Sequence, residues 1–267
     1  MDIIILFLKV GFLRIFFGCF NQEWILKTLL KINYIGGDIS LSGEKRTIRY
    51  LKKRLTEKYV GQNLTLLDVG ANIGDYSKEL VSVFPNSSII YAFEPLPSTY
   101  KMLTENVKTI PNISCHNVGM SDKKIVMPVY TNHAGSGLTS VYQRRLDHFN
   151  VRMDVKENCE FTSVDDFCKD NHIEHIHFLK IDVEGHELSV LRGANEMMKA
   201  GRIDYIQFEF GGCNIDSRTF FQDFWYLLKD RYKLYRIIPT GLCPIKEYTE
   251  MREIFICSNY LAELNSI

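Results

Sequence analysis

The stretch Leu66-Leu67-Asp68-Val69-Gly70-Ala71-Asn72-Ile73-Gly74 decides how this 267-residue chain folds. An apolar run from Leu64 to Val69 carries a carboxylate near its end, turns through two glycines and opens into Asp75-Tyr76-Ser77-Lys78-Glu79-Leu80. That order reads as strand, tight turn, helix. The turn falls at the strand's carboxyl end, where open α/β sheets take their ligands. Gly70 and Gly74 lack Cβ atoms, so the backbone can bend sharply and a ligand can lie against it. The unpaired N–H groups of the following helix face the same place. The spacing predicts a nucleotide-like cofactor in that bend.

A dinucleotide-binding loop reads G-x-G-x-x-G, because its second glycine lets the backbone approach a pyrophosphate. Here the pattern is D-x-G-x-x-x-G, with Asn72 near the place of the missing glycine. This suits a cofactor without phosphates. Further on, Ser88-Ile89-Ile90-Tyr91-Ala92-Phe93 reads as a second buried strand ending in Glu94 and Pro95. A carboxylate there is placed to accept hydrogen bonds from both hydroxyls of a ribose. Loop and acid together favour S-adenosylmethionine. A nicotinamide-dependent oxidoreductase, the alternative, would share Glu94 but needs the absent glycine.

Working outward, Asn112–Val118, His175–Asp182, Asp204–Glu209, Tyr232–Ile238 and Glu253–Cys257 read as further strands. Helical segments are expected over Thr99–Thr109, Glu187–Lys199 and Thr219–Leu228. The alternation predicts an α/β fold with a doubly wound, mostly parallel seven-stranded sheet and helices on both faces. The last link, with Pro239, Gly241 and Pro244, leaves little room for a crossover helix, so the last strand is expected to be antiparallel. Hydrophobic residues make up 46% and charged residues 24% of the chain, an ordinary globular balance. The 32 basic and 32 acidic residues cancel, which argues against a general nucleic-acid binder. Cysteines 19, 115, 159, 168, 213, 243 and 257 are odd in number and never form C-x-x-C. They read as reduced thiols of a cytoplasmic protein, with no disulfide framework and no zinc site.

Between the third and fourth strands lies an insertion, residues 121–167. Lys124–Tyr130 and Cys159–Thr162 read as short strands, and His133–Ser140 as a Gly/Ser loop. Ser163 is the expected cap of a helix. Loops at the carboxyl edge of a rigid sheet commonly bear substrate contacts. The chemistry is expected where the fourth and fifth strands end. Asp182 stands at one strand tip, beside the glycine loop in a doubly wound order. Glu184 and His186 follow in the turn, and Glu209 lies one strand further across the same edge. Acids on a rim of apolar strands are costly to desolvate unless they serve a ligand, a proton transfer or a cation. The plainer alternative is helix capping, open to Glu184 and Glu187.

Together LLDVGANIGDYS, YAFEP, FLKIDVEGHEL and the terminal strand pair resemble the FkbM-type family of S-adenosylmethionine-dependent methyltransferases, over about Ser42 to Tyr260. Ser42-Gly43-Glu44 also resembles a short element of that family. The resemblance implies a class I, Rossmann-like methyltransferase domain over residues 46–267. It implies O-methylation of a sugar hydroxyl, or one on a glycolipid or polysaccharide precursor. By resemblance, Asp68, Gly70, Ala71, Asn72, Gly74 and Glu94 hold the cofactor, and Asp182 lies near its methionine end. Gly119, Ser121 and Asp122, within Val118–Asp122, approach the adenine. The resemblance carries no substrate identity, so protein, lipid and other small-molecule acceptors stay open.

The implied reaction is an in-line displacement, in which a substrate oxygen takes the methyl group and a neutral thioether leaves. A hydroxyl needs a general base to become a good nucleophile, and Asp182, Glu184 or His186 could serve. A divalent metal bridging Asp182 and Glu209 could instead lower the hydroxyl's pKa, although the spacing assigns no metal ligands. His172, His175 and His177 read as the start of a strand. Residues 1–45 form an N-terminal apolar extension, in which Ile3–Phe20 is apolar apart from Lys9 and Arg14. Two charges near the middle of a spanning helix largely cancel the apolar gain. Asp2 and the lack of an A-x-A site disfavour a signal peptide. The expectation is a helix that dips into the cytoplasmic membrane face or packs against protein.

Overall fold

The computed structural model describes residues 41–84 and 88–265. The apolar stretch Ile3–Phe20 lies outside the described residues. The first helix, α1 (Glu44–Lys58), buries Ile48, Leu51 and Leu55 on one face, the spacing of an amphipathic helix. β1 (Leu64–Val69), α2 (Asp75–Val83), β2 (Ser88–Phe93), α3 (Pro97–Val107) and β3 (Ile113–His116) follow in strict alternation. β7 (Ile176–Ile181), α5 (Glu187–Arg192), α6 (Asn195–Lys199) and β8 (Ile203–Phe210) continue it beyond the insertion. α7 (Cys213–Ser217), α8 (Phe221–Leu228), β9 (Tyr232–Ile238), β10 (Gly241–Ile245) and β11 (Ser258–Leu264) close the chain.

Among the described residues the main sheet has eight strands in the order β10-β9-β11-β8-β7-β1-β2-β3. β1 pairs in parallel with both β2 and β7, so the order reverses between β1 and β7. That switch point is where a doubly wound sheet opens a crevice. β11 runs antiparallel to β8 and β9. The Pro/Gly link is itself structured: β10 forms an antiparallel hairpin with β9 and adds an eighth strand. Pro244 is tolerated there because β10 is an edge strand.

Glu253–Cys257, expected as the last strand, is a loop, and the strand is Ser258–Leu264. The Glu253 carboxylate accepts from Phe221 N (2.8 Å) and Gln222 N (2.9 Å) at the start of α8. That cap draws the segment out of the ladder. The helix expected over Glu187–Lys199 breaks at Gly193, where a Cβ would lie 2.0 Å from the Ser121 carbonyl oxygen.

The insertion and the two residues before it build a second, three-stranded sheet, β4 (Gly119–Met120), β5 (Ile125–Thr131) and β6 (Val155–Thr162), in the order β4-β6-β5. Leu96, Val129, Cys159 and Phe161 form its small core. Ser163 accepts from Asp166 N at 3.0 Å and caps α4 (Val164–Asp170). Two larger cores cover the two faces of the main sheet. One buries Leu66, Phe178 and Tyr205 under α1 and α2, and the other buries Leu67, Leu179 and Phe208. The six cysteines of the described residues are free thiols. Among the described residues no helix is long and apolar enough to cross a membrane.

Candidate active site

At the switch point a cleft opens along the carboxyl edge, the place where doubly wound sheets take their ligands. Its floor is the bend after β1. Gly70 has φ +82°, and a Cβ there would lie 1.8 Å from the Asp182 carbonyl oxygen. Only glycine allows β1 and β7 to meet this closely. Gly70 N and Ala71 N donate to the Phe93 carbonyl at 3.1 and 2.9 Å, which ties the bend to β2. Asn72 holds a left-handed φ of 48°, and its side-chain Oδ1 is buried without a hydrogen-bond partner.

Glu94, at the end of β2, lines the same cleft. Its side chain is buried and accepts from Leu96 N at 2.9 Å and from the Asn72 amide. Burial pushes its carboxyl up to about 7, against those two N–H groups. The bend and the acid therefore meet and line the same cavity. The roof comes from the insertion, with Val129, Ser136, Gly137, Thr139, Ser140 and Phe161 over the opening. Gly135 N donates to Thr99 Oγ1 (3.0 Å), and Ser140 Oγ donates to the Glu184 carbonyl (2.7 Å). These bonds fasten the Gly/Ser loop to both sides of the cleft.

Asp182, Glu184 and His186 line the cleft, but their surroundings differ. Asp182 Oδ2 lies 3.2 Å from the buried ammonium of Lys180. Glu184 has a φ of 51°, a conformation costly for a non-glycine residue. Its carboxylate pairs with Arg144, whose Nε lies 3.7 Å from Asp216 Oδ2. Burial and the nearby Asp182 raise Glu184 to about 8, with Arg144 opposing. Glu187 fastens the turn, accepting from Val183 N (3.1 Å) and Gly185 N (3.0 Å).

His186 is buried, with Ser121 Oγ 2.9 Å from Nε2 and the Tyr142 hydroxyl 3.2 Å from Nδ1. Burial lowers its pKa to about 4, so it is neutral and both ring nitrogens are occupied. Glu209 stands just outside the lining. Its proton affinity is raised well above the usual range by burial, then by Asp182 and Glu184, and it takes a hydrogen bond from the Cys257 thiol. Among the described residues no lysine or arginine pairs with it. Glu184, Glu209 and Cys213 each bring one donor atom within 4.8 Å of the others.

Of the residues expected to hold a cofactor, Gly70, Asn72, Glu94 and Gly119 line the cleft. Asp68, Ala71 and Gly74 lie behind it. Asp68 accepts from Ser77 Oγ at 2.6 Å. Ala71 packs with Leu103 and Val107. Gly74 caps α2 and leaves room for the same two side chains. Ser121 is occupied by His186, and Asp122 is exposed beyond it. His175 and His177 meet Asp204 at the opposite edge. There His175 Nε2 lies 2.9 Å from Asp204 Oδ2, Lys58 Nζ lies 2.8 Å from Asp204 Oδ1, and Thr65 N donates to His177 Nδ1. The sequence reading missed Lys180, Arg144, Tyr142 and Phe161. An alternating-face argument could have flagged Lys180, two residues before Asp182 on a buried strand; nothing local marks the other three.

The family model described as "Methyltransferase FkbM domain" matches residues 68–237. The chain is 27% identical to the hexuronic acid methyltransferase AglP of Haloferax volcanii, over 64% of this chain and 64% of that protein. It is 24% identical to the 2-O-methyltransferase NoeI of Sinorhizobium fredii, over 54% of this chain and 62% of that protein. The chain thus spans less than two thirds of the length of these relatives. Among solved structures, the N-terminal domain of human METTL16 in complex with SAH is similar with a TM-score of 0.46 and 11% identity. That match covers 95% of this chain and 79% of the other.

Proposed function

The chain belongs to the FkbM methyltransferase family, and on that premise we propose that it is an S-adenosylmethionine-dependent O-methyltransferase acting on a sugar hydroxyl, free or in a glycolipid or polysaccharide precursor. The observation that carries this reading is the single cleft bounded by the Gly70–Asn72 bend and by Glu94. The names of the two relatives, a 2-O-methyltransferase and a hexuronic acid methyltransferase, support a sugar acceptor.

The residues present fit the cofactor. The bare backbone at Gly70 leaves room for a chain to lie against it, and buried Asn72 Oδ1 has an unused acceptor. Glu94 would accept from the ribose hydroxyls, and Gly119 and Met120 would wall the adenine. Bound there, S-adenosylmethionine supplies an electrophilic methyl group on a cationic sulfur. With cofactor and acceptor seated, the roof from the insertion would shield the reacting atoms from water, which strengthens charge interactions there.

We assign the acceptor's proton to Asp182, which lines the cleft with a side chain 37% exposed. His186 has both nitrogens engaged, and Glu184 is paired with Arg144. Glu209 stands outside the lining, and burial with the nearby Asp182 and Glu184 favours its protonated form, which cannot take a further proton. The donor set does not fit a hard divalent ion. Arg144 already occupies Glu184, and the Cys213 thiol donates to Asn214 Oδ1 at 3.4 Å, with burial pushing its pKa far up.

Free thiols and the need for S-adenosylmethionine support work in the cytoplasm, with Ile3–Phe20 as the segment that would touch a membrane face. The test is calorimetric binding of S-adenosylmethionine, followed by labelled-methyl transfer to a glycan or glycolipid extract of the source cells. Binding and transfer to a sugar are expected. Transfer to protein alone, or no binding, refutes the proposal.

A further inference from the structure

The sheet face beneath α1 and α2 is apolar until its last complete row. Leu66, Phe178 and Tyr205 belong to the buried cluster there. One pleat nearer the carboxyl edge, the register sets Asp68 opposite Lys180 and Lys180 opposite Gln207. All three side chains are buried. A polar row thus crosses three central strands directly below the cleft.

Four groups face the Lys180 ammonium. Asp182 Oδ2 lies 3.2 Å away and Asp68 Oδ1 3.5 Å away. The Tyr76 ring of α2 lies under it, with its centroid at 4.8 Å. Glu44 of α1 acts on it through its charge. Each of the other groups is held in turn. Ser77 donates to Asp68 (2.6 Å), Tyr76 donates to Gln207 (2.9 Å), Gln207 donates to Glu44 (2.7 Å), and Ser42 donates to Glu44 (2.6 Å). Helix α1 begins before the matched family region and completes the network from outside it.

Burying an ammonium costs more than burying an alkyl chain of equal length, unless the charge is used. Asp68, Glu44 and Tyr76 do not reach the cleft, whereas Asp182 lines it with a side chain 37% exposed. The network therefore converges on one accessible carboxylate. A carboxylate at a strand tip turns freely about its side-chain bonds. An ammonium fixed on the neighbouring pleat of a central strand removes that freedom.

We infer that Lys180 is a positioning residue for methyl transfer: clamped between Asp68 and Asp182, it fixes the direction in which the Asp182 carboxylate faces the cleft. The inference rests on the methyltransferase reading and adds a residue which that reading does not need. The test uses the full chain and a double-mutant cycle with Asp182→Asn. Lys180→Met lowers kcat by about a hundredfold while the S-adenosylmethionine Kd stays within about tenfold, and Lys180→Arg recovers about tenfold of the loss. In the Asp182→Asn background either change at 180 costs less than about threefold. Unchanged kcat in Lys180→Met, or equal losses in both backgrounds, overturns the inference. Should Lys180→Met fail to fold, Lys180→Arg keeps the charge and decides alone. Its expected tenfold loss must vanish in the Asp182→Asn background, and an additive loss overturns the inference. Wild-type protein that neither binds S-adenosylmethionine nor transfers a methyl group brings down the methyltransferase reading instead, a separate outcome.

Discussion

Cofactor affinity should depend on pH through Glu94. Burial holds this carboxyl at about 7. Ribose hydroxyls donating to it favour the charged form, so the bound pKa falls and a proton leaves on binding. Below about pH 7 the free protein holds that proton, and affinity drops as pH falls. From about pH 8 to about pH 6 the dissociation constant should rise about tenfold, equivalent to about 1.4 kcal/mol. Titration calorimetry in buffers of different ionisation heat should find nearly one proton released at the lower pH and little at the higher. Glu184 and Glu187 are raised into the same range, so Glu94→Gln is the control. It should bind more weakly and lose this slope. The same slope in Glu94→Gln, or none in the wild type, refutes the assignment of the ribose to Glu94.

Asp182→Ala should lower methyl transfer by at least a thousandfold and leave cofactor affinity within about tenfold, as single-turnover transfer and calorimetry would read. Gly70→Ala forces a Cβ against the Asp182 carbonyl in a left-handed backbone, so it should abolish cofactor binding and lower Tm, measured by calorimetry and thermal melting. Buried His177 and His186 are lowered to about 4, against about 6.5 unfolded. The unfolded chain binds the extra protons, so this stability is present above about pH 6.5 and is lost as pH falls toward 4. By about pH 5 each should have forfeited about 2 kcal/mol, seen as a lower urea midpoint, and His186→Gln should shrink that acid loss.

Much of this architecture is legible in the chain because single positions decide it. The Asp68–Gly74 bend and the Glu94 strand end give strand, turn and helix with little dependence on distant residues. The Asp182 and Glu209 tips follow from apolar runs ending in acids. Other features depend on distant partners. Ile254-Phe255-Ile256 is apolar enough to read as strand, yet Glu253 caps α8 and moves the pairing to Ser258–Leu264. Arg144 and Tyr142 sit in a long insertion, and only folding brings them to Glu184 and His186. His186 reads as a base by position, but two hydroxyls and burial leave it a neutral strut. Lys180 interrupts an apolar strand, and its role depends on a register partner more than a hundred residues away.

The most direct test is a crystal structure grown with S-adenosylhomocysteine. Adenosine should lie along the bend after Val69, with both ribose hydroxyls on Glu94 and the sulfur toward Asp182. An empty cleft, or a ligand bound away from Glu94, would contradict the account.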